Sequence, residues 1–352
     1  MTQNRFDKRL QKISAEIWRK INKIDELNGQ WIAGAKLDPQ ALGRLKKSVL
    51  VTSTGASTRI EGAKLSDEDI EKMIKGLSMQ KFSDRDKQEV KGYFELLDNV
   101  FNAWKKIEFN ENTIKHFHRE LLKYVGKDKD HRGEYKKREN KVHMVDEDGK
   151  SAGIIFDTTP AYLTPKEMQE LIEWTQEAIK NKTHHSLLII ANFLVEFLNT
   201  HPFLDGNSRI SRILTNFLLL KEDYLYMPYI SYEKLIEDNK SDYYISLRKS
   251  QKTIKTKKEN ITSWLNFFLD IFYEQSKQAV ELLSHENIEK LLSEKQLAVW
   301  EYLNTTNEAS PREISDKTGV ARPTINQAMD KLIRLKKVER IGLGRGTRYR
   351  KI

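Results

Sequence analysis

The chain has 352 residues, of which 38% are apolar and 32% charged, with a formal net charge of +10 and no cysteine. That is enough apolar material for roughly two or three packed domains of a soluble globular protein, and it excludes disulfides and thiolate metal sites. No apolar run reaches the length of a membrane span and Met1 to Lys8 lack a signal-peptide apolar region, so a cytoplasmic protein with no membrane partner is expected; the positive charge permits nucleic acid or nucleotide phosphates as partners without demonstrating either.

Residues 1–35 read as a helix with Ile13, Ile17, Ile21 and Ile24 on one side, which Asn28-Gly29 is expected to break. Trp18 and Trp31 read as packing residues. Asp38-Pro39 opens a second helix through Leu42, Leu45 and Val49. The stretch Val51 to Gly62 has a local reading, in which Thr58 and Glu61 form a capping box and Gly62 ends a helix. Ser66 and Asp69 form another capping-box pattern, before a helix carrying Ile70, Met73 and Ile74. Residues 84–107 read as a longer helix with Val90, Phe94, Leu97, Phe101 and Trp104 in register. Asn112 to Tyr124 form the next, with Ile114, Phe117, Leu121 and Leu122 apolar. His116 and His118 point to different sides of it, which argues against a shared metal and for packing or surface roles.

Residues 131–157 change character. Lys141 to Val145 and Gly153 to Phe156 flank Asp146-Glu-Asp-Gly149, the pattern of a β-hairpin in an otherwise helical protein. Thr164-Pro165 begins a helix through Met168, Leu171, Ile172 and Ile179. The helix from Thr183 to Thr200 carries Leu187, Ile190, Ala191, Leu194, Val195 and Leu198 on one stripe. His184 and His185 at its start read as exposed and are assigned no chemistry.

The next residues, His201-Pro-Phe-Leu-Asp-Gly-Asn-Ser-Arg-Ile-Ser-Arg212, lie between that helix and one marked by Ile210, Ile213, Leu214, Phe217 and Leu218. Gly206-Asn207 opens the second helix, whose first turn offers free N–H groups and the positive end of a dipole, a ready-made phosphate site. Arg209 and Arg212 are three apart and share a side, where two further phosphates fit. Asp205 is a hard oxygen ligand suited to Mg²⁺, and His201 can accept a proton near neutral pH. Any one of these has a plain reading as a turn, a loop histidine or solvated arginines. Together they point to attack on a nucleotide phosphate.

The stretch closely resembles the signature of the Fic family, H-x-F-x-(D/E)-G-N-(G/K)-R-x-x-R, with His201, Phe203, Asp205, Gly206, Asn207, Arg209 and Arg212 in register. Ser208 departs from it, standing where the family often has Gly or Lys. Its Cβ would crowd the anion cradle if the position needs φ > 0; alternatively its hydroxyl donates to a phosphate. Upstream, Ser57-x-x-x-Glu61-Gly62 resembles the family's inhibitory motif, (S/T)-x-x-x-E-(G/N).

The resemblance implies a mainly α fold: an N-terminal helical region (1–110) carrying the inhibitory motif at 57–62, and a Fic core (111–283) with a flap hairpin at about 141–157 that aligns a target by backbone pairing. It implies protein adenylylation, with ATP as substrate and Mg²⁺ as cofactor. His201 would take the proton of a Ser, Thr or Tyr hydroxyl and Asp205 would hold the metal. Gly206, Asn207 and Ser208 would cradle the α-phosphate, Arg209 the β-phosphate and Arg212 the γ-phosphate. Glu61 would pair with Arg212 and hold the enzyme inhibited. Tyr244, with Tyr243 behind it, would contact the adenine. Family members also transfer UMP, a phosphate or phosphocholine, and remove AMP, so the transferred group and direction stay open.

After the Tyr224 to Tyr232 loop, residues 252–260 read as a basic linker. A helix from Ile261 to Leu283 closes the core, with a hinge around Ser284-His-Glu-Asn287. Residues 290–352 resemble a winged helix-turn-helix domain. Leu297, Trp300 and Leu303 mark its first helix, Ser310-Pro311 caps the second, Arg322-Pro323 begins the third, and strands at 338–341 and 347–351 form the wing. Residues 291–352 hold 13 basic and 7 acidic residues. Arg322, Thr324, Asn326 and Gln327 fall at the start of the recognition helix and Arg345, Arg348 and Arg350 on the wing. DNA is therefore a second partner to consider, beside a protein target that includes the chain itself and a second copy of the chain in a homodimer. The alternative to an enzyme is a DNA-binding transcriptional regulator whose Fic domain acts as a sensor.

Overall fold

The computed structural model describes residues 4–34, 39–74, 85–145, 151–334, 337–342 and 344–352, with side chains throughout except at 39–41, 74, 141–145, 151–157, 284–291 and 345. The chain divides into two compact units, Met1–Val280 and Glu281–Ile352. The elements run α1 (Arg5–Arg9), α2 (Ala15–Gly34), α3 (Pro39–Ile60), α4 (Asp67–Ile74), α5 (Arg85–Ala103), α6 (Glu111–Leu121), β1 (Lys141–Val145), β2 (Ser151–Asp157), α7 (Thr164–Asn181), α8 (Ser186–Thr200), α9 (Asn207–Lys221), α10 (Tyr232–Asp238), α11 (Lys240–Gln251) and α12 (Thr262–Leu291). The protein is mainly helical, as its periodicity predicts.

Two helices organise the first unit. Every residue of α8 from Leu187 to Thr200 is buried, and so is almost all of α9. A helix apolar on all sides belongs at the centre of its unit, and each fully buried Leu, Ile or Phe contributes about 1.5–3 kcal/mol. Around this pair α7 packs on α8, α5 and α6 pack on α9, and α3 packs on α5, α9 and α10. The expected boundary near residue 110 therefore does not separate compact units. Pro202 disfavours the right-handed helical region at the residue before it, so α8 stops at Thr200 and His201 turns into the left-handed region at φ 50.

Three local expectations are corrected. Asn28-Gly29 does not break α2, because Trp31 beyond it is buried against Tyr226 and Tyr229 and the helix continues to deliver it. Residues 252–260 are not a free linker: Lys255 pairs with Glu167 at 2.6 Å, Glu259 pairs with buried Arg9 at 2.7 Å, and Ile254 is buried. His184 and His185 are half-buried and bonded to Asp7 and Asp25, each at 3.0 Å. The backbone stays helical through the proposed hinge at 284–287.

β1 and β2 pair antiparallel with two irregularities in register, which gives the expected hairpin; its turn, Asp146 to Gly149, lies outside the described residues. The second unit contains α13 (Glu294–Asn304), β3 (Glu308–Ala309), α14 (Pro311–Thr318), α15 (Arg322–Arg334), β4 (Val338–Ile341) and β5 (Arg348–Lys351). Its sheet has the order β3-β5-β4. Its core gathers Val299, Trp300, Leu303, Ile314, Ile325, Met329, Leu332, Val338 and Tyr349. Ser310 and Glu313 cap α14 reciprocally. Among the described residues no helix is long and apolar enough to cross a membrane.

Candidate active site

The loop between α8 and α9 is held by its own amides. Asn207 Oδ1 accepts from the Phe203 N–H at 2.9 Å while its Nδ2 donates to the Phe203 carbonyl at 2.8 Å. One amide proton of Asn207 is left for a ligand. Gly206 sits at φ 75, and a Cβ there would lie 3.1 Å from Leu121 Cδ2, so this position requires glycine. The first intrahelical bond of α9 runs from the Ile210 N–H to the Gly206 carbonyl at 2.9 Å. The N–H groups of Asn207, Ser208 and Arg209 lie ahead of it, where an anion is favoured. Ser208 has ordinary helical geometry and is absent from the left-handed residues, so its Cβ brings no strain to the cradle.

His118, read from the sequence as a packing or surface residue, supports the loop. Its Nδ1 accepts from the Gly133 N–H at 2.9 Å, which places the proton on Nε2, and Nε2 donates to the Asp205 carbonyl at 3.1 Å. The ring stacks on Phe203 at 3.8 Å. Burial, the largest influence, pushes its pKa down to about 3, so it stays neutral and braces the loop.

His201 lies where α8 ends. Burial and then the charge of Lys136 push its pKa down to about 4, against the Leu198 carbonyl, Glu61 and Asp205, which favour the charged ring. A ring N–H that donates to a carbonyl leaves the other nitrogen as an acceptor. The His201 ring is therefore neutral at neutral pH.

The two arginines of α9, and Asp205 just ahead of it, are paired with groups of the protein itself. Arg212 is 1% exposed; its Nε donates to Ser57 Oγ at 2.8 Å, and its Nη2 to the Ser57 carbonyl at 2.9 Å and to Glu61 at 3.0 Å. Burial disfavours its charge, and Glu61 leads the groups that hold its pKa above the ordinary value. Its Nη1 is buried with no hydrogen-bond partner among the described residues. Arg209 pairs with Glu89 and, at 3.3 Å, with Asp205. Arg85 of α5 pairs with Glu89 at 2.7 Å, Asp128 at 3.3 Å and Asp205. Burial raises the Asp205 carboxyl, but Arg209, the Gly206 N–H and Arg85 together hold it below its ordinary value, so it is charged.

Ser57 and Glu61 come from the end of α3. Thr58 Oγ1 bonds back to the Thr54 carbonyl at 2.9 Å, so the alternative capping box is not formed, whereas Gly62 at φ 100 does end the helix. Arg59 fixes this end: it grips Glu237 with two bonds, at 2.6 and 3.1 Å, and Asp67 at 2.8 Å. Tyr243 is buried edge-on to Trp264, and half-buried Tyr244 lies edge-on to it at 5.1 Å.

Residues 108–219, which contain α6, the hairpin and the whole 201–212 loop, match the profile of the Fic/DOC family. This region is a Fic/DOC domain. The chain is similar in fold to a Fic family protein from Desulfovibrio desulfuricans (23% identity, TM-score 0.63, 97% of each chain covered). It is also similar to a Fic domain containing signaling protein from Bacteroides thetaiotaomicron (22% identity, TM-score 0.60, 74% of this chain and 97% of that one). Fic-1 from C. elegans aligns at 16% identity and TM-score 0.57 over 75% of this chain and 73% of that one. The Fic/DOC match supports transferase chemistry of the general Fic type.

Proposed function

We propose that this protein transfers AMP from ATP to a Ser, Thr or Tyr hydroxyl of a protein, itself included, and that Glu61 restrains the reaction. The observation that carries this reading is the Glu61–Arg212 pair at 3.0 Å, made by an arginine of the helix that follows the His201 loop. His201 takes the hydroxyl proton, the oxygen attacks the α-phosphorus, the bond to the β-bridging oxygen breaks and pyrophosphate leaves. The first N–H groups of α9 and the remaining Asn207 amide proton stabilise the α-phosphate as charge builds. Arg209 and Arg212 hold the β- and γ-phosphates. The buried, unpartnered Nη1 of Arg212 fits such an anion, and a charged Asp205 among carboxylates fits a hard cation. Mg²⁺ at Asp205 would supply charge neutralisation on the phosphates. Tyr244 flanks the base and the hairpin offers backbone pairing to the target.

The test is His201→Ala in a Glu61→Gly background. It removes a base rather than a phosphate contact, so ATP binding by calorimetry is retained while AMP transfer to any protein is lost. Substantial transfer by that variant would refute the role of His201.

A second reading concerns the unit Glu281–Ile352. We propose that it is a winged helix-turn-helix that binds DNA, supported by the exposed row Arg322, Asn326 and Gln327 on the first turns of α15. Two wing arginines are less available than expected: Arg348 pairs with Glu308 at 2.9 Å and Glu313 at 3.0 Å, and Arg350 with Glu339 at 2.7 Å. The side chain of Arg345 lies outside the described residues. Salt-dependent retention of duplex DNA by the full chain, weakened by Arg322→Ala, tests this reading; retention that is absent at low salt sinks it.

A further inference from the structure

Lys136 is a buried ammonium, 2% exposed, with no carboxylate among its hydrogen-bond partners in the described residues. Its Nζ donates to Asn140 Oδ1 at 2.8 Å, to Thr158 Oγ1 at 2.7 Å and to the Thr200 carbonyl at 3.1 Å. Those three acceptors have special places in the fold. Asn140 is the residue before β1, Thr158 the residue after β2, and Thr200 the last residue of α8, immediately before His201. The same corner is joined twice more. The Lys136 N–H donates to the Pro202 carbonyl at 2.9 Å, and Asn140 Nδ2 donates to the Phe203 carbonyl at 2.8 Å.

We propose that Lys136 is a positioning residue that couples the hairpin to the base: one ammonium ties both stems of β1–β2 to the residue that carries His201 into the site. This rests on the reading of His201 as the base and of the hairpin as the target-docking element. A lysine keeps three donors on one atom, so a single side chain can fix two strands and a helix end together. Burying its charge without a carboxylate is costly, and that cost is the reason to look for a use.

The charge supplies one. Burial lowers the His201 pKa most; among the neighbouring groups with the strongest effect, Lys136 also favours the neutral ring, whereas the Leu198 carbonyl, Glu61 and Asp205 favour the charged one. Lys136 itself is pushed down to about 8 by burial, against Glu139 and Glu167, with Lys255 adding to the fall. It is therefore charged at neutral pH and loses that charge on mild alkalinisation.

The test follows His201 and the hairpin directly and needs no turnover. In full-length protein with ¹³C-labelled histidine, the His201 ring resonance, assigned by its loss in His201→Ala, is titrated in wild type, Lys136→Arg, Lys136→Gln and Lys136→Met. Amide exchange of β1 and β2 is measured on the same proteins. The expected result is a rise in His201 pKa of about one unit, a tenfold gain in proton affinity, in both uncharged variants and not in Lys136→Arg. Exchange of the hairpin amides should be fastest in Lys136→Met, which retains no donor, and slower in Lys136→Gln. An unchanged His201 titration in a folded Lys136→Gln or Lys136→Met protein overturns the electrostatic part. Unchanged hairpin exchange in Lys136→Met overturns the coupling. Should the uncharged Lys136 variants show these shifts while neither wild type nor Glu61→Gly transfers AMP under any condition, the proposed reaction fails while the role of Lys136 stands.

Discussion

Glu61, at the C-terminal end of α3, reaches Nη2 of Arg212 in α9 at 3.0 Å, and Ser57 one turn earlier takes Nε of the same guanidinium at 2.8 Å. One arginine is thus held from two positions of one helix end, and that end is itself anchored through Arg59 to Glu237 and Asp67. On the proposed reading the inhibitory segment is a rigid part of the fold rather than a loose tail.

Removing the carboxylate should free the arginine for a phosphate. A hydrogen bond to a charged group contributes about 1.5–3 kcal/mol, so Glu61→Gly should raise productive ATP affinity by roughly ten- to a hundredfold. Calorimetry with ATP and Mg²⁺ on wild type and variant measures it. Equal affinities would mean that the pair does not restrain binding.

The acid limb of activity should be displaced. His201 titrates at about 4 instead of 6.5, so kcat/KM should hold on acidification through 6.5 and fall only near 4. Glu61 favours the protonated ring, so Glu61→Gly should move that limb further down, not up. The same shift has a stability sign. Between 6.5 and 4 the unfolded chain takes up a proton that the folded ring refuses. This contribution is full above 6.5 and is lost as pH falls to about 4. A pH–rate profile with a limb at 6.5 would contradict the lowered pKa of His201.

Arg85 occupies the three carboxylates that would surround a cation on Asp205, since it pairs with Asp205, Asp128 and Glu89. Arg85→Ala should tighten Mn²⁺ binding roughly tenfold, because the metal no longer competes with a guanidinium. Electron paramagnetic resonance of free Mn²⁺ during titration reads this directly. Weaker Mn²⁺ binding in the variant would show that Arg85 supports the site instead of covering it.

Two glycines should respond oppositely to alanine. Gly206→Ala forces a left-handed residue at φ 75 with its Cβ 3.1 Å from Leu121, a loss of about 1–2 kcal/mol from the backbone alone. Gly29→Ala lies mid-helix with nothing within 4 Å of the new Cβ, and should gain about 0.5–1 kcal/mol. Thermal unfolding of both should give Tm changes of opposite sign; a fall in both would contradict the geometry at Gly29.

Much of this site is legible locally. The 201–212 loop announces itself because its groups are adjacent in sequence, and Gly206 and Asn207 open α9 as their chemistry dictates. What sequence could not offer is distance. Glu89 and Arg85 act on Arg209 and Asp205 from more than a hundred residues away, and they look like an ordinary i, i+4 pair on α5. His118 and Lys136 read as unremarkable members of a helix and a loop until the fold turns their donors onto the loop backbone. Asn28-Gly29 shows the opposite failure, a genuine local turn signal overridden by the burial of Trp31. Likewise Arg348 and Arg350 look free in sequence, and only the fold brings Glu308 and Glu339 of the sheet and Glu313 of α14 beside them.

The most direct measurement is intact mass after incubation with ATP and Mg²⁺ of wild type, Glu61→Gly and Glu61→Gly/His201→Ala, each alone and with a cell extract as a source of target. The proposed function requires AMP on protein with Glu61→Gly, much less with wild type and none with the double variant. AMP transfer that is equal in wild type and Glu61→Gly, or that persists without His201, would contradict it.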